Sequence, residues 1–133
     1  MVFYTKEFNP EKHHGMLCEW WTEWKWPAVP VSLLPKNGIV VYEEETPVCA
    51  GFMYLTDSDW GIMEWIVGNP WVSKEERHNG LDCLIQDLIL VAKSNAKKAI
   101  FSSVNHPSLI DAYSRNGMIV TDKGMTNFVW RAK

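Results

Sequence analysis

The chain has little of what defines several common protein classes. Its three cysteines, Cys18, Cys49 and Cys83, are widely spaced without a CxxC motif, and its four histidines show no ligand spacing. The sequence therefore predicts neither a disulfide framework nor a metal site. No apolar run reaches the roughly eighteen residues of a membrane span, and the N-terminus lacks a signal-peptide pattern. We expect a reduced, cytoplasmic protein that does not contact a membrane.

Positive charge is also scarce. Thirteen Lys and Arg residues face sixteen Asp and Glu residues, for a net charge of −3. No basic run is dense enough to neutralise a line of phosphates, which argues against nucleic-acid binding. The basic residues around Lys74 and Arg77 suit one small anion. Length and the 47% hydrophobic content fit a single domain over residues 1–133.

Tryptophan, in contrast, is abundant, with eight residues. Met16, Trp20 and Trp24 recur every four residues in the first predicted helix, which gives a wide apolar stripe for packing on a sheet. Other tryptophans lie off this stripe or outside the helix, and half-exposed indoles suit an acceptor or partner surface. The candidates for that surface are Trp21, Trp26 and Trp71.

Apolar periodicity and turn signals define an order of elements. Strands are predicted at residues 2–8, 38–43, 48–55, 60–67 and 99–104, with a closing hairpin at 118–121 and 125–131. Helices are predicted from Pro10, after Gly80 and from Pro107, and a proline-rich loop covers 27–37. The result is an α/β chain of the α+β kind. Its mixed, mostly antiparallel sheet has about six to seven strands and is flanked by three helices.

Residues 64–92 form the stretch around which the chain is organised, reading as strand, loop and helix. Ser73 and Glu76 have capping-box spacing, which allows a helix start at Ser73. The apolar periodicity begins only at Leu81, so we favour a start at Gly80. A glycine that opens a helix leaves free backbone N–H groups and the positive end of the helix dipole, which suits a pyrophosphate.

The strand at 60–67, the helix after Gly80 and the strand at 99–104 follow one another, which implies a parallel pair with a right-handed crossover. With this crossover in its second half, the order of elements resembles the GNAT superfamily of acetyl-CoA-dependent N-acyltransferases. Before the main helix, that family has Gln or Arg, then Gly, then Gly or Ala, where this chain has Arg77, Gly80 and Asp82. A later pattern of Asn, Tyr and Gly is matched by three further residues, Asn105, Tyr113 and Gly117. The compact, tryptophan-rich form also resembles acetyltransferase-like proteins encoded by phages.

The resemblance implies acetyl-CoA as the acyl donor, and the spacing of the histidines predicts no metal beside it. It implies that backbone groups of the strand at Ile66 and Val67 hold the pantetheine arm. The pyrophosphate would lie on the loop and helix start, with the cofactor-binding residues Arg77, His78, Asn79, Gly80, Leu81, Asp82 and Asn105. In this arrangement Asp82 departs from the family pattern, because a carboxylate in the first helical turn repels a phosphate.

Two side chains are candidates for the chemistry. The resemblance implies that Tyr113 is the general acid, although a tyrosine packed on the sheet fits the sequence equally well. Glu64 is the only acid in an apolar strand, and partial burial would raise its pKa and adapt it to act as a base. The alternative is that Glu64, between Ile62 and Ile66, lies on a partly solvated face.

Two functions remain open from the sequence. The first is an N-acetyltransferase that transfers the acetyl group of acetyl-CoA to an unidentified amine. The short connection after the first helix favours a protein or peptide as the acceptor. The second is a catalytically degenerate GNAT-fold protein, a monomer or homodimer as in the first case, that serves as an interaction module. In it, Asp82 would mark the loss of the cofactor.

Overall fold

The computed structural model describes residues 2–132. Within that range five strands, three α-helices and a 3₁₀ turn at Val31–Leu33 follow one another. Their order is β1 (Phe3–Glu7), α1 (Pro10–Glu23), β2 (Asn37–Glu43), β3 (Thr46–Leu55), β4 (Trp60–Gly68), α2 (Lys74–Ser94), β5 (Ala99–Phe101) and α3 (Pro107–Arg115). The strands form one sheet in chain order, antiparallel from β1 to β4 and parallel between β4 and β5. The mixed sheet and the flanking helices confirm the predicted fold class.

Two apolar clusters cover the two faces of the sheet. Neighbouring residues of β2 point to opposite faces, so that Val40 packs in the cluster with α1 and Val41 in the cluster with α2 and α3. Trp20 lies in the core as predicted, but Trp21 is only 2% exposed and is no surface residue. It is buried because the proline-rich loop, through Val29, adds to the same cluster.

The start of α2 differs from the favoured prediction. The helix begins at Lys74, after a capping box in which Ser73 Oγ accepts from Glu76 N–H (3.1 Å) and Glu76 Oε1 accepts from Ser73 N–H (3.2 Å). The apolar stripe begins later because the first turns lie at the rim of the core, where Lys74 is exposed. Periodicity therefore marks where α2 meets the sheet, whereas the cap marks where the helix starts.

Gly80 is an interior residue of α2 and not its first. An added Cβ there would lie 2.7 Å from Val48 Cγ1 and 3.4 Å from Cys49 Sγ, so the missing side chain lets α2 approach β3 closely. The reason for glycine at this position is packing between helix and strand. Its amide lies within the helix and is not available at a helix start.

The predicted closing hairpin is also wrong. Among residues 2–132 the sheet has five strands, fewer than the six to seven predicted, and none lies after β5. The segment from 119 to 132 is exposed, with Phe128 at 91%. The preceding residue, Met118, packs against the core, and within the segment the side chain of Asn127 contacts that of Ser103. Alternating apolar residues and a turn signal favour strands locally, but they do not supply a partner edge.

The sheet opens between β4 and β5. The two strands pair only from Trp60–Ala99 to Ile62–Phe101. Beyond that point β4 contains a bulge, because Ala50 pairs with Val67 while Phe52 already pairs with Glu64. Trp65 takes a positive φ of 59° there. A bulge bends its strand, and β4 therefore leaves β5, which itself ends at Phe101 and not at 104 as predicted.

Candidate active site at the opening between β4 and β5

The opening leads into a cavity of about 210 Å³ between β4 and the starts of α2 and α3. Ile66, Leu81 and Leu109 give it an apolar floor, and Lys74 and Arg77 give it a cationic rim. None of the described residues that line it is acidic. Such a cavity suits a ligand with an apolar arm and an anionic group. A larger open depression, about 550 Å³, contains acidic side chains and suits an anion poorly; its lining is Glu7 to Glu11.

Arg77 is held firmly beside the cavity. Its guanidinium lies 5.3 Å from the centre of the Trp24 ring, and Nη1 donates to the carbonyl oxygens of Val72 (2.6 Å) and Asn69 (3.3 Å). Gly68 makes room for its stem, since a Cβ there would lie 2.9 Å from Arg77 Cδ. The predicted anion-binding residue therefore also fixes the loop between β4 and α2.

An aromatic wall closes one side of the cavity. Trp24, which follows the end of α1, donates from its indole nitrogen to the carbonyl oxygen of Gly68 (2.8 Å). It stacks on Trp26 with ring centres 5.9 Å apart, and His106 lies edge-on to both rings. Trp24, expected in the core, thus lines the cavity together with Trp26. The predicted surface residue Trp71 lies on the loop before α2 and is 61% exposed.

The start of α3 faces the same cavity through His106 and Ser108. Pro107 occupies the first helical position as predicted, and the N-cap residue His106 makes no side-chain capping bond. Within the described part of the chain, the buried Nδ1 of His106 has no hydrogen-bond partner. The positive ends of two helix dipoles therefore meet at one cavity, where an anion would be stabilised.

Glu64 and Tyr113, the two predicted catalytic residues, are brought together beyond the end of β5. The backbone N–H of Ser103 donates to Glu64 Oε1 at 2.6 Å. Ser102 Oγ lies 2.8 Å from the hydroxyl of Tyr113 and 3.5 Å from Glu64 Oε1. It also donates to the carbonyl oxygen of Met63 at 2.6 Å. One hydroxyl thus connects the candidate acid and the candidate base.

The surroundings raise the pKa values of both Glu64 and Tyr113. Burial raises the pKa of Glu64, and hydrogen bonds from Ser103 and Ser102 partly offset that rise. Burial also raises the pKa of Tyr113 to about 12, with a hydrogen bond from Ser102 opposing and the charge of Glu64 adding to the shift. Tyr113 therefore keeps its proton at neutral pH, and Glu64 takes up a proton more readily than an exposed glutamate does.

Ser102 is the residue that the sequence does not single out. The pair Ser102–Ser103 falls inside the predicted strand at 99–104, where two small polar residues carry no chemical signal. Their role depends on the point at which β4 and β5 separate, and a bulge in a different strand sets that point. Only the three-dimensional arrangement shows the connection.

Asp82 is not in the first turn of a helix, contrary to the prediction. It is the ninth residue of α2, where its Oδ1 accepts from Arg115 Nη2 (2.9 Å) and Asn116 Nδ2 (2.8 Å). It thereby ties the middle of α2 to the end of α3, and it does not line the cavity. The expected repulsion of a phosphate loses its geometric basis, because the helix starts two turns earlier.

The remaining predicted cofactor residues are divided between the cavity and its surroundings. His78, Leu81 and Ile66 line the cavity, as does His106, the neighbour of the exposed Asn105. Val67 packs into the core on the α1 side, and its side chain does not line the cavity. Other predicted residues do not line it; they are Asn79, Gly80 and Asp82.

Solved structures with the same fold include proteins named as acetyltransferases. Glucosamine-6-phosphate N-acetyltransferase from Arabidopsis thaliana superposes with a TM-score of 0.66 at 14% identity, over 96% of this chain and 99% of its own. A GNAT family acetyltransferase from Staphylococcus aureus gives 0.63 at 16%, over 97% and 100%. An aminoglycoside acetyltransferase from an uncultured soil metagenomic sample gives 0.69 at 11%, over 98% and 97%.

Within residues 2–132 the sheet is mixed, and its one parallel pair, β4 and β5, opens beside the starts of α2 and α3. This arrangement defines the class of α+β fold. That fold is the fold of the GNAT superfamily. No protein-family model and no curated protein matches the chain. Between residues 2 and 132, no group of three or more His, Cys, Asp or Glu side chains is placed to hold a metal ion. Over the same residues, no helix is long and apolar enough to cross a membrane.

Proposed function

We propose that the protein is an N-acetyltransferase that transfers the acetyl group of acetyl-CoA to an amine. The observation that carries the proposal is the outer edge of β4, which β5 leaves after Ile62. This edge runs from the Glu64–Ser102–Tyr113 group to the cationic cavity. A thioester on an amide-containing arm that ends in a pyrophosphate fits such a path, because strand edges pair with amides and helix starts bind phosphates.

Several features of the cavity fit acetyl-CoA. Lys74, Arg77 and the starts of α2 and α3 would hold the phosphates, and the unpartnered Nδ1 of His106 offers a further polar contact at that end. The backbone of Ile66 and Val67 would hold the arm. When bound, acetyl-CoA supplies an acetyl group as a thioester, which an amine attacks without a covalent enzyme intermediate.

The chain's own residues would move the protons of this reaction. Glu64 would take the proton that the amine loses, since its raised pKa adapts it to that step. Tyr113 would give a proton to the departing sulfur, since it stays protonated at neutral pH. The sheet surface next to Glu64, where the acceptor would bind, is open, and Trp65 is exposed on it. An open face favours a protein or peptide amine over a small enclosed one.

The position of Asp82 supports this function over that of an interaction module. Its carboxylate is neutralised by Arg115 and lies outside the cavity, so it gives no reason for a lost cofactor. The partner surface that the alternative requires is also smaller than predicted, because Trp21 is buried and Trp26 lines the cavity. What favours the alternative is the exposed Trp71.

Calorimetric titration with acetyl-CoA separates the two functions. We expect saturable binding to the wild-type protein. Reversing the charge of the cavity residue in Lys74→Glu should weaken it by about 2 kcal/mol, or roughly thirtyfold, at the energies of charges in water. The exposed Lys123 lies in the tail, so Lys123→Glu is the matched control and should bind like the wild type. Absence of binding at millimolar acetyl-CoA would reject the enzyme and leave the interaction module.

A further inference from the structure

Ser102 occupies the space between the candidate base and the candidate acid. We propose that its hydroxyl carries the proton from Glu64 to Tyr113, so that the two residues act as one unit during acetyl transfer. The inference rests on the proposed function for its chemistry. The link itself is a property of the folded chain, and it can be tested without acetyl-CoA.

The geometry favours Ser102 as the link. The Ser103 N–H holds Glu64 Oε1 at 2.6 Å, which keeps the carboxylate beside the preceding residue, Ser102. From there Ser102 Oγ reaches Tyr113 at 2.8 Å and Glu64 at 3.5 Å. The second distance is long for a hydrogen bond, but such contacts in ligand-free sites often shorten in the reacting complex. A hydroxyl both donates and accepts, so it can receive a proton on one side and pass one on.

The proton balance closes on the three side chains. As the bond between the amine nitrogen and the acetyl carbon forms, the nitrogen gives a proton to the Glu64 carboxylate. As the bond between the acetyl carbon and sulfur breaks, the sulfur takes the hydroxyl proton of Tyr113. The single hydroxyl proton of Ser102 then turns from the Met63 carbonyl oxygen to the Tyr113 oxygen and is transferred to it, and Ser102 receives the proton on Glu64. One proton has moved from nitrogen to sulfur, and all three residues regain their starting state.

Because Tyr113 is buried, it needs a route within the protein by which to regain its proton. Tyr113 is only 8% exposed, so exchange of its proton with bulk water is hindered once the proton has been given away. Another tyrosine, Tyr54, also feels the charge of Glu64. Its hydroxyl, however, donates to the Leu33 carbonyl and accepts from the Trp65 indole, both at 2.7 Å. Tyr54 therefore belongs to a different, exposed network and does not connect Glu64 with Tyr113.

A purely structural role for Ser102 makes a different prediction. Its 2.6 Å bond to the Met63 carbonyl oxygen attaches the chain after β5 to β4. If this bond were its whole role, Ser102→Ala would lower stability without changing how Glu64 and Tyr113 influence each other. The tests below therefore measure coupling between the two residues and not only the loss caused by one substitution.

The first test follows the Glu64 carboxyl carbon by NMR titration in the absence of any ligand. In the presence of Ser102, we expect Tyr113→Phe to shift the midpoint of the Glu64 titration. In a Ser102→Ala background the same substitution should leave it unchanged. Ser103→Ala keeps the backbone N–H that binds Glu64 and should behave like the wild type. An equal shift with and without Ser102, or no shift in either, would overturn the link.

The second test measures turnover of acetyl-CoA with a lysine-containing peptide as the acceptor probe. Ser102→Ala should lower kcat by roughly 10²–10⁴, the usual loss for a general acid–base residue, with KM for acetyl-CoA unchanged. Ser102→Thr keeps the hydroxyl and should restore turnover. The double variant Ser102→Ala/Glu64→Gln should be no slower than either single variant, since both break one path. If the losses in kcat of the two single variants multiplied in the double variant, the link would be contradicted.

The two tests fail in different ways. Absence of acetyl-CoA binding to the wild-type protein would reject the proposed function, and the NMR coupling would still report on the link. Binding and turnover that are unaffected by Ser102→Ala would reject the link and leave the function. If the peptide probe is not a substrate, the NMR experiment decides the question alone.

Discussion

The starts of α2 and α3 border the same cavity, but they differ in how they are capped. At α2 the capping box of Ser73 and Glu76 satisfies two backbone N–H groups. At α3 the N-cap residue His106 makes no side-chain cap, and its buried Nδ1 lacks a partner among residues 2–132. At α2 the capping side chains already bind each other's backbone, whereas at α3 the imidazole nitrogen of the N-cap residue is left for a ligand.

The two helix starts also differ in the charge of their first turns. The first turn of α2 contains Glu75 and Glu76, and the first turn of α3 contains no acid among the residues described. Acidic side chains offset the positive end of a helix dipole, so the start of α3 attracts an anion more strongly than that of α2. Lys74 and Arg77 add the positive charge on the α2 side. The anion site is therefore shared between the two helices, and Gly80 is not its centre.

A substitution that moves α2 away from the sheet would displace the α2 start from the shared anion site. It should also have the largest effect on stability. In Gly80→Val the new side chain meets Val48, whose Cγ1 lies 2.7 Å from the ideal Cβ position. We expect a loss of about 3 kcal/mol in the free energy of unfolding, measured by urea denaturation. Gly15 in α1 has no neighbour within 4 Å of such a Cβ, so Gly15→Ala is the control. It should raise stability by about 0.5–1 kcal/mol. Equal losses would show that close packing is not the reason for glycine at position 80.

Breaking the cap of α2 should have the next largest effect. Ser73→Ala removes the acceptor of the Glu76 N–H, and we expect it to cost about 1 kcal/mol in urea denaturation. Ser73→Asp keeps an acceptor and should retain most of the stability. If Ser73→Ala changes stability no more than an exposed loop substitution does, the capping box is not what fixes the start of α2.

The sequence was sufficient to predict the elements that local signals define. The start of α1 follows from Asn9 and Pro10, and the two ends of α3 follow from Pro107 and Gly117. The order of β2 to β4 follows from apolar runs and turns. It was insufficient where partners decide the outcome. The tail after Gly117 has strand-like alternation, but no strand pairs with it within residues 2–132. Both α2 start signals were visible, and the choice between them required knowledge of where the helix meets β3.

The same distinction holds for the candidate site. Glu64 and Tyr113 could be named because a lone acid in an apolar strand and a tyrosine at a family position are visible in the sequence. The role of Ser102 and the place of Trp24 in the cavity wall could not be predicted, because they depend on the bulge in β4 and the end of α1. The prediction placed Asp82 beside a phosphate because its actual partner, Arg115, is 33 residues away in the chain and the sequence does not show that contact.

Completing the start of α3 would make it resemble that of α2. In His106→Asp the carboxylate can accept from a first-turn N–H, and we expect a gain of about 0.5 kcal/mol in stability by urea denaturation at pH 7. The same charge should weaken acetyl-CoA binding by about 1 kcal/mol, roughly fivefold. The neutral cap in His106→Asn should give part of the stability with a smaller loss of affinity. A variant that gains stability and binds acetyl-CoA as tightly as the wild type would show that the α3 start does not hold the anion.

The smallest effect is expected at Asp82, where the residue lies far from either helix start. Asp82 and Arg115 are each about 30% exposed, so Asp82→Asn should cost only about 0.5 kcal/mol in urea denaturation. Asp111→Asn removes the more exposed carboxylate that contacts Arg115 and should cost less. In the same proteins, acetyl-CoA affinity should stay within about twofold of the wild type, because neither carboxylate lines the cavity. Clearly tighter binding in Asp82→Asn would restore the idea that this carboxylate repels the phosphates. That result would place the anion along the side of α2 and not between the starts of α2 and α3.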